Sequence, residues 1–204
     1  MSLGNTIYVG LGVSGQPKDQ PWRWAKSGLA IISFILGNYI FSRAMRILGP
    51  MKRSTLVLSF VVQAALCFAS AALVDSNVVP NNAGHLLPDN FIVLLPLALL
   101  SVASAGQIVV SRFLGFSELT TLVLTSSYCD LVFDEKLLTA GLTQNSKRNR
   151  RAASMVLVVA GAITGGFLSR NENIAPAIWI TGAIKTLVAV IWLFWKSEGS
   201  IRLE

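Results

Sequence analysis

The sequence predicts an all-α fold, a polytopic transmembrane bundle of about five spanning helices plus one re-entrant or interfacial helical segment. Of the 204 residues, 53% are hydrophobic and only 13% are charged, whereas soluble domains have about 25% charged residues. The apolar residues are grouped in blocks of membrane length, and basic residues cluster in the short links between them. We therefore interpret residues 1–204 as a single membrane domain in contact with the lipid bilayer.

Five apolar blocks are candidates for helices that cross a bilayer, which requires about 20 residues. The first block is short, but the long side chains of Trp24 and Arg43 at its ends can extend it to the interface. The third block contains Pro96, which predicts a kink. In chain order the blocks lie at about residues 28–45, 55–74, 91–111, 152–169 and 177–195.

The segment 113–133 is either a sixth span or a segment that does not cross, and the basic residues help to distinguish these. Link 43–53 has four Lys and Arg residues and link 134–151 has five, whereas 75–90 has none. Basic links favour the cytoplasmic side. A crossing segment would put the most basic link outside, so we favour a segment that does not cross. The C-terminus is then cytoplasmic, and only 13–27, with three bases, departs from the rule.

One lysine, Lys185, lies near the middle of the fifth block, where a bare charge costs roughly 2.5–3.5 kcal/mol on insertion scales. Small and polar neighbours one turn away, such as Thr181 and Gly182, turn this lysine toward the bundle interior. We predict a carboxylate partner at the same depth, first Asp130 and second Glu118. A neutral lysine is the alternative. In a functional interpretation, this centre would couple protons or bind anions. In a structural interpretation, Lys185 would form a buried pair that joins two segments, or its side chain would extend to the membrane surface.

The remaining candidate residues lie close to these in the sequence. Gln107 can form a hydrogen bond across helices, and Tyr128 flanks Asp130. Arg112 ends the third block, where we interpret it first as an interfacial anchor. The predicted intramembrane polar site therefore consists of Lys185, Asp130, Glu118, Arg112, Gln107 and Tyr128.

Other classes of function lack support in the sequence. His85 is the sole histidine and lies in a polar loop, and the two cysteines are far apart, so we predict no metal site and no cofactor. No Ser/His pair, Cys/His pair or HExxH motif occurs on the blocks, which argues against an enzyme. The basic residues mark membrane sidedness, so we predict no nucleic-acid partner. The oligomeric state stays open.

Small residues recur at helical spacing on two blocks. Gly161, Gly165 and Ser169 form one row, and Ser33 with Gly37 begins another. Rows of this kind let helix backbones approach closely, so we predict helix packing on both faces. The plainer interpretation is that small residues are common in any spanning helix.

Three stretches, GNTIYVGLGVSGQP, GQIVVSRFLGFSELTTLVLTSSYCDL and WITGAIKTLVAVIWLFW, resemble the YoaK-like integral membrane proteins, the domain of unknown function 1275 family, and within it the fungal branch. The resemblance implies a multi-spanning membrane protein, with no activity from which site residues follow. Family members usually have a spanning helix before the Gly-Asn-Thr motif. Because Met1 lies three residues before Gly4, we expect that first helix to be absent here.

The family pattern also suggests two halves. In each half, a first helix is followed by a Gly/Thr/Ser-rich segment and then by two spans. If the second such segment is re-entrant, each complete half crosses three times, and the halves are inverted three-helix repeats. This architecture is common in secondary transporters. We therefore predict a small-solute transporter or permease. The alternative is a non-transporting membrane scaffold or assembly factor, and a cavity between 113–133 and 177–195 would favour transport over it.

Overall fold

The computed structural model describes residues 2–18, 20, 22–76, 78–79, 91–116, 124–137, 139, 141, 143–170 and 173–195. Within these residues the protein has seven α-helices, one short 3-10 helix at Phe91–Val93, and no strand. The predicted all-α class is confirmed. The helices are α1 (Ser2–Val13), α2 (Arg23–Leu48), α3 (Arg53–Asp75), α4 (Leu94–Phe113), α5 (Leu124–Val132), α6 (Ser146–Leu168) and α7 (Ala175–Phe194).

Five of the described helices are long and apolar enough to cross a membrane, namely α2, α3, α4 with its preceding 3-10 helix, α6 and α7. Each overlaps one of the predicted blocks. The helices α1 and α5 contain 12 and 9 residues. At ~1.5 Å per residue they reach only about 18 and 14 Å, less than the ~30 Å hydrocarbon core. Neither is long enough to cross by itself.

The core is formed by α2, α3, α4 and α7. Helix α3 packs against α4 and α7, and α2 packs against α4 and α1. A Cβ added to Gly37 on α2 would lie 2.9 Å from the Cβ of Ala105 on α4, so the predicted packing of the Ser33–Gly37 row is confirmed. The row on α6 behaves differently. A Cβ on Gly161 or Gly165 would meet nothing described within 4 Å, so no described helix packs closely on that face and packing there stays a prediction.

Contacts between helices fix their directions. The Arg53 side chain, at the start of α3, donates to the carbonyl of Trp195, just after α7 (3.5 Å). At the other end of the same pair, Val74 packs in one cluster with Ile178. Helices α3 and α7 are therefore antiparallel. The end of the bundle where α2 ends, α3 begins and α7 ends is called the basic end below.

The start of α6 also lies at the basic end. The guanidinium carbon of Arg150 is 5.2 Å from the ring centroid of Phe116, which follows the last turn of α4. Helices α3 and α4 are antiparallel, since Ser70 bonds to the carbonyl of Pro96, so α4 ends at the basic end. The end of α4 and the start of α6 thus lie at the same end of the bundle, and the path of 113–133 stays a prediction.

Candidate functional site

Lys185 lies at the centre of the polar contacts inside the bundle. Its side chain extends from the middle of α7 and is only 8% exposed. The ammonium group donates to the side-chain oxygen of Gln63 on α3 at 2.8 Å and to that of Gln107 on α4 at 2.9 Å. One cation therefore joins three helices, and its ligands are two carboxamide oxygens.

Gln63 is the inner of the two carboxamides, and it is fully buried. While its oxygen accepts from Lys185, its nitrogen donates to the hydroxyl of Ser59, one turn earlier on α3, at 3.1 Å. Both ends of this amide are therefore satisfied, as a buried polar group requires. Gln107, in contrast, is exposed at the surface of the described bundle. The cluster thus has a closed side at Gln63 and an open side at Gln107.

Two glycines allow the three helices to come close enough for these bonds. A Cβ on Gly182, one turn before Lys185, would lie 2.5 Å from the ring of Phe68 on α3. A Cβ on Gly106, next to Gln107, would meet the ring of Phe41 at 2.8 Å and the Gln63 side chain at 3.0 Å. A larger residue at either position would require these side chains or the helices themselves to move.

When it is protonated, Lys185 places a positive charge at mid-bundle. Within the described residues, no carboxylate lies within ion-pair distance of Lys185; the described ion pair joins Arg151 to Asp130. Amide oxygens stabilise an ammonium through their dipoles but do not cancel its charge. An ammonium in this place therefore retains an attraction for an anion.

The predicted pairing of Lys185 with Asp130 was wrong. Asp130 lies on α5 with its side chain 54% exposed, and it faces Arg151 on α6 at 4.0 Å. The physical reason is that α5 packs against the first turns of α6 and has no described contact with α7. Tyr128, on the same short helix, is likewise exposed. Glu118, the second predicted partner, lies outside the described residues.

Of the predicted site residues, the structure brings Lys185 and Gln107 together, and the expected hydrogen bond of Gln107 across helices is confirmed. Arg112 lies in the last turn of α4 and lines a separate cavity with Arg43 and Arg46. Among the described residues, no group of three His, Cys, Asp or Glu side chains could hold a metal ion.

Sequence reasoning missed Gln63 and Ser59. A signal for Gln63 was present, because this amide lies near the middle of block 55–74, at the depth that Lys185 has in its own block. Two polar groups at equal depth on different spans are candidates to meet.

The fold and site define a class: a helical bundle compatible with a multi-pass membrane protein, with a buried ammonium held by amides at mid-depth. Comparison with protein families gives a match to the model described as protein of unknown function (DUF1275), over residues 1–191. The chain belongs to this family. No curated protein and no solved structure matches it. The narrower resemblance to YoaK-like and fungal members stays a prediction.

Proposed function

We propose that this protein is a small-solute permease for an anionic solute, in which Lys185 provides the charge that binds the solute. The observation that carries the proposal is the buried ammonium of Lys185, held at mid-bundle by two amide oxygens. A permease requires a site near the middle of the membrane that can bind and release its solute, and a charge at that depth is a functional hypothesis in its own right.

The arrangement of the site supports a defined way of binding. An ammonium has three N–H donors, and the bonds to Gln63 and Gln107 use two of them. The remaining donor is suited to an oxygen of a carboxylate or similar anion. Approach from the open side, at Gln107, is favoured because the Gln63 side is closed by α3. Gln63 and Ser59 would hold the ammonium in place while the solute exchanges.

The order of the helices supports alternating access. A short helix followed by two long ones occurs twice, as α1–α2–α3 and as α5–α6–α7. In both sets the short helix lies beside the start of the next helix: Tyr8 contacts Arg23, and Asp130 contacts Arg151. The last helices of the two sets, α3 and α7, are antiparallel. This order is compatible with the predicted inverted repeats, whose relative movement would open a central site to each side in turn.

We infer that the basic end is cytoplasmic. The last turn of α2 and the first turn of α6 carry basic residues there, and basic links favour that side. The C-terminal end of α7 lies at the same end, so the C-terminus is cytoplasmic in this proposal. The protein is proposed to bind and move its solute without chemical change, and therefore not to be an enzyme.

Uptake into proteoliposomes tests the proposal. A panel of radiolabelled carboxylates and inorganic anions would be offered to vesicles containing the wild-type chain, the variant Lys185→Met, or the control Lys52→Met, which removes an exposed lysine between α2 and α3. We expect uptake of at least one anion by the wild type and by the control, and background uptake by Lys185→Met. Equal uptake by all three would remove Lys185 from the mechanism.

The second candidate is a membrane scaffold, and one observation favours it. Helix α6 is almost entirely exposed along its apolar length, and the face with Gly161 and Gly165 has no described neighbour. Such a face suits a helix of another protein. A stable partner lost on substitution of Gly161 by Leu, together with no uptake of any solute by the wild type, would favour the scaffold.

A further inference from the structure

A cavity of about 600 Å³ lies between α2 and α4 at the basic end. Its volume is in the range of small-ligand sites. Three arginines line it, Arg43 and Arg46 from α2 and Arg112 from α4. The rest of the lining consists of Asn38, Tyr39, Ser42, Val109 and Phe113. This cavity is separate from the cluster around Lys185.

Helix geometry explains why these side chains converge. Tyr39, Arg43 and Arg46 are spaced by four and three residues, so they form one row along α2. Helix α4 runs parallel to α2, because Gly37 packs near Ala105 and Phe41 near Gly106. The last turns of both helices therefore lie side by side, and Arg112 faces the row on α2 across the cavity.

The charges of the cavity favour an anion. None of the described residues that line it is acidic. The C-terminal ends of two helices contribute about −0.5 charge each. The guanidinium groups of Arg43 and Arg46 alone outweigh these partial charges, and Arg112 adds a third guanidinium to the lining. Guanidinium groups are also suited to phosphate, because their paired N–H groups match two phosphate oxygens.

The lining changes character along the helices. Toward the basic end it presents guanidinium groups, and one to two turns further in it presents Asn38, Tyr39 and the apolar Val109. The side chain of Asn38 donates to the carbonyl of Phe34 at 2.8 Å, so it is held in place by its own helix. A ligand with a charged group at one end and a less polar remainder fits this gradient.

We propose that this cavity binds a phosphate-bearing anion at the basic end of the bundle, independently of whether Lys185 binds a solute. The shared chemistry is a phosphate ester held by Arg43, Arg46 and Arg112. It could be the headgroup of an anionic lipid or a soluble phosphate compound, and the experiment distinguishes these sources.

Binding would be measured on the purified full chain in detergent, by native mass spectrometry with added phosphatidic acid, with phosphatidylcholine, and with phosphatidic acid competed by inorganic phosphate. The test variant is Arg43→Gln with Arg46→Gln. The matched control is Lys52→Gln with Arg53→Gln, which removes two charges at the same end outside the cavity. A third variant, Arg112→Gln, tests whether the arginine that α4 contributes to the lining also takes part in binding.

We expect the wild type to prefer phosphatidic acid over phosphatidylcholine, and the test variant to bind phosphatidic acid about 30-fold more weakly, which corresponds to about 1 kcal/mol per arginine. Arg112→Gln should weaken binding as well, and the control should not. Competition by inorganic phosphate would indicate a soluble source, and its absence a lipid headgroup; both support the site. Equal weakening in the control, or no preference for phosphatidic acid, would overturn the proposal.

Discussion

At the scale of single residues, the ligands of Lys185 decide what the buried charge can do. A carboxylate within bonding distance would neutralise the ammonium and would hold it in a structural pair. Two carboxamide oxygens instead accept two of its hydrogen bonds and add no negative charge. The same contacts therefore stabilise the fold and keep the site attractive to an anion.

The two glutamines should contribute unequally to stability. Gln63→Leu leaves the ammonium with one acceptor and leaves the Ser59 hydroxyl without its donor, so we expect a loss of about 1–3 kcal/mol in the free energy of unfolding. Gln107→Leu should cost less, because Gln107 is exposed and Lys185 retains Gln63. Thermal unfolding in detergent, followed by tryptophan fluorescence, measures both.

A double variant tests the hydrogen bond between Lys185 and Gln63. Lys185→Met combined with Gln63→Leu replaces both partners by apolar side chains of similar length, which is close to neutral when a polar pair is removed as a unit. We expect the double variant to be more stable than Gln63→Leu alone. Losses that simply add would contradict the direct bond between the two side chains.

The sequence allowed part of this site to be predicted. Lys185 and Gln107 were identified because polar residues in apolar blocks are conspicuous. Gln63 was missed because the partner across a helix interface depends on the rotation and depth of both helices, and these are set by packing at residues such as Gly182 and Gly106. Asp130 was predicted because it is a carboxylate in the segment expected to enter the membrane, but its short helix packs against α6 and not against α7.

At the scale of elements, the contact between α3 and α7 depends on one missing side chain. Gly182→Ala places a Cβ within 2.5 Å of the Phe68 ring, so the ring or the helix must move. We expect a loss of about 1–3 kcal/mol in unfolding free energy, as for overpacked cores. Gly165→Ala on α6 is the matched control, since nothing described lies near it, and it should be neutral or stabilising. Equal effects would contradict the close packing of α7 on α3.

The link before α6 is folded around a buried arginine. Arg148 donates to the carbonyls of Lys136, Leu137 and Gly141, while Asn145 caps the helix by accepting from the Arg148 backbone. The side-chain amide of Asn145 also donates to both oxygens of Asp134. A basic side chain in the first turn opposes the helix dipole, and the carbonyl bonds of Arg148 offset this cost.

This link should lose its structure in acid. Hydrogen bonds from the Asn145 side chain and, next, the Lys136 backbone lower the pKa of Asp134 from its ordinary value of 3.8. A carboxylate with a lowered pKa stabilises the fold above its ordinary pKa, and this contribution is lost as the pH falls through the lowered value. Hydrogen-exchange protection around Asn145 should therefore decrease below about pH 4.

Two variants make this pH dependence specific. Asp134→Asn should show weak protection at neutral pH and little further change in acid, because it has no charge to lose. Glu135→Gln removes the neighbouring carboxylate, which has no described bond to Asn145, and should behave like the wild type. A pH response in Asp134→Asn as large as that of the wild type would assign the effect to another group.

Prediction from the sequence was strongest for the long elements. The five blocks were evident because uninterrupted apolar runs of membrane length are typical of helices that cross a bilayer. The exposure of Gly161 and Gly165 among the described residues was not predictable, since these small residues resemble those of a packed helix face.

At the scale of the whole molecule, the ends of α4 and α7 and the starts of α3 and α6 lie together at the basic end. The contact of Arg150 with Phe116 and the bond of Arg53 to Trp195 join α4 to α6 and α3 to α7 at this end. The counting of basic residues pointed to the same arrangement, because charge bias reports sidedness even where the path of 113–133 is not evident from hydropathy.

Single cysteines should report this sidedness. In a chain with Cys67 and Cys129 replaced by Ser, we expect Met51→Cys and Gly141→Cys to react with an impermeant thiol reagent from one side of sealed vesicles, and Ser14→Cys from the other. All three positions are exposed. Labelling of Gly141→Cys together with Ser14→Cys would mean that 113–133 crosses the membrane.

The antiparallel contact of α3 with α7 has a consequence for biogenesis. The two glutamines are synthesised before the lysine that binds them, because α3 and α4 precede α7 in the chain. The buried bonds of Lys185 therefore cannot form until α7 has been made, and earlier intermediates contain unmatched amides. We expect nascent chains stopped at residue 174 to be degraded faster than complete ones in a pulse-chase experiment; equal half-lives would contradict this view.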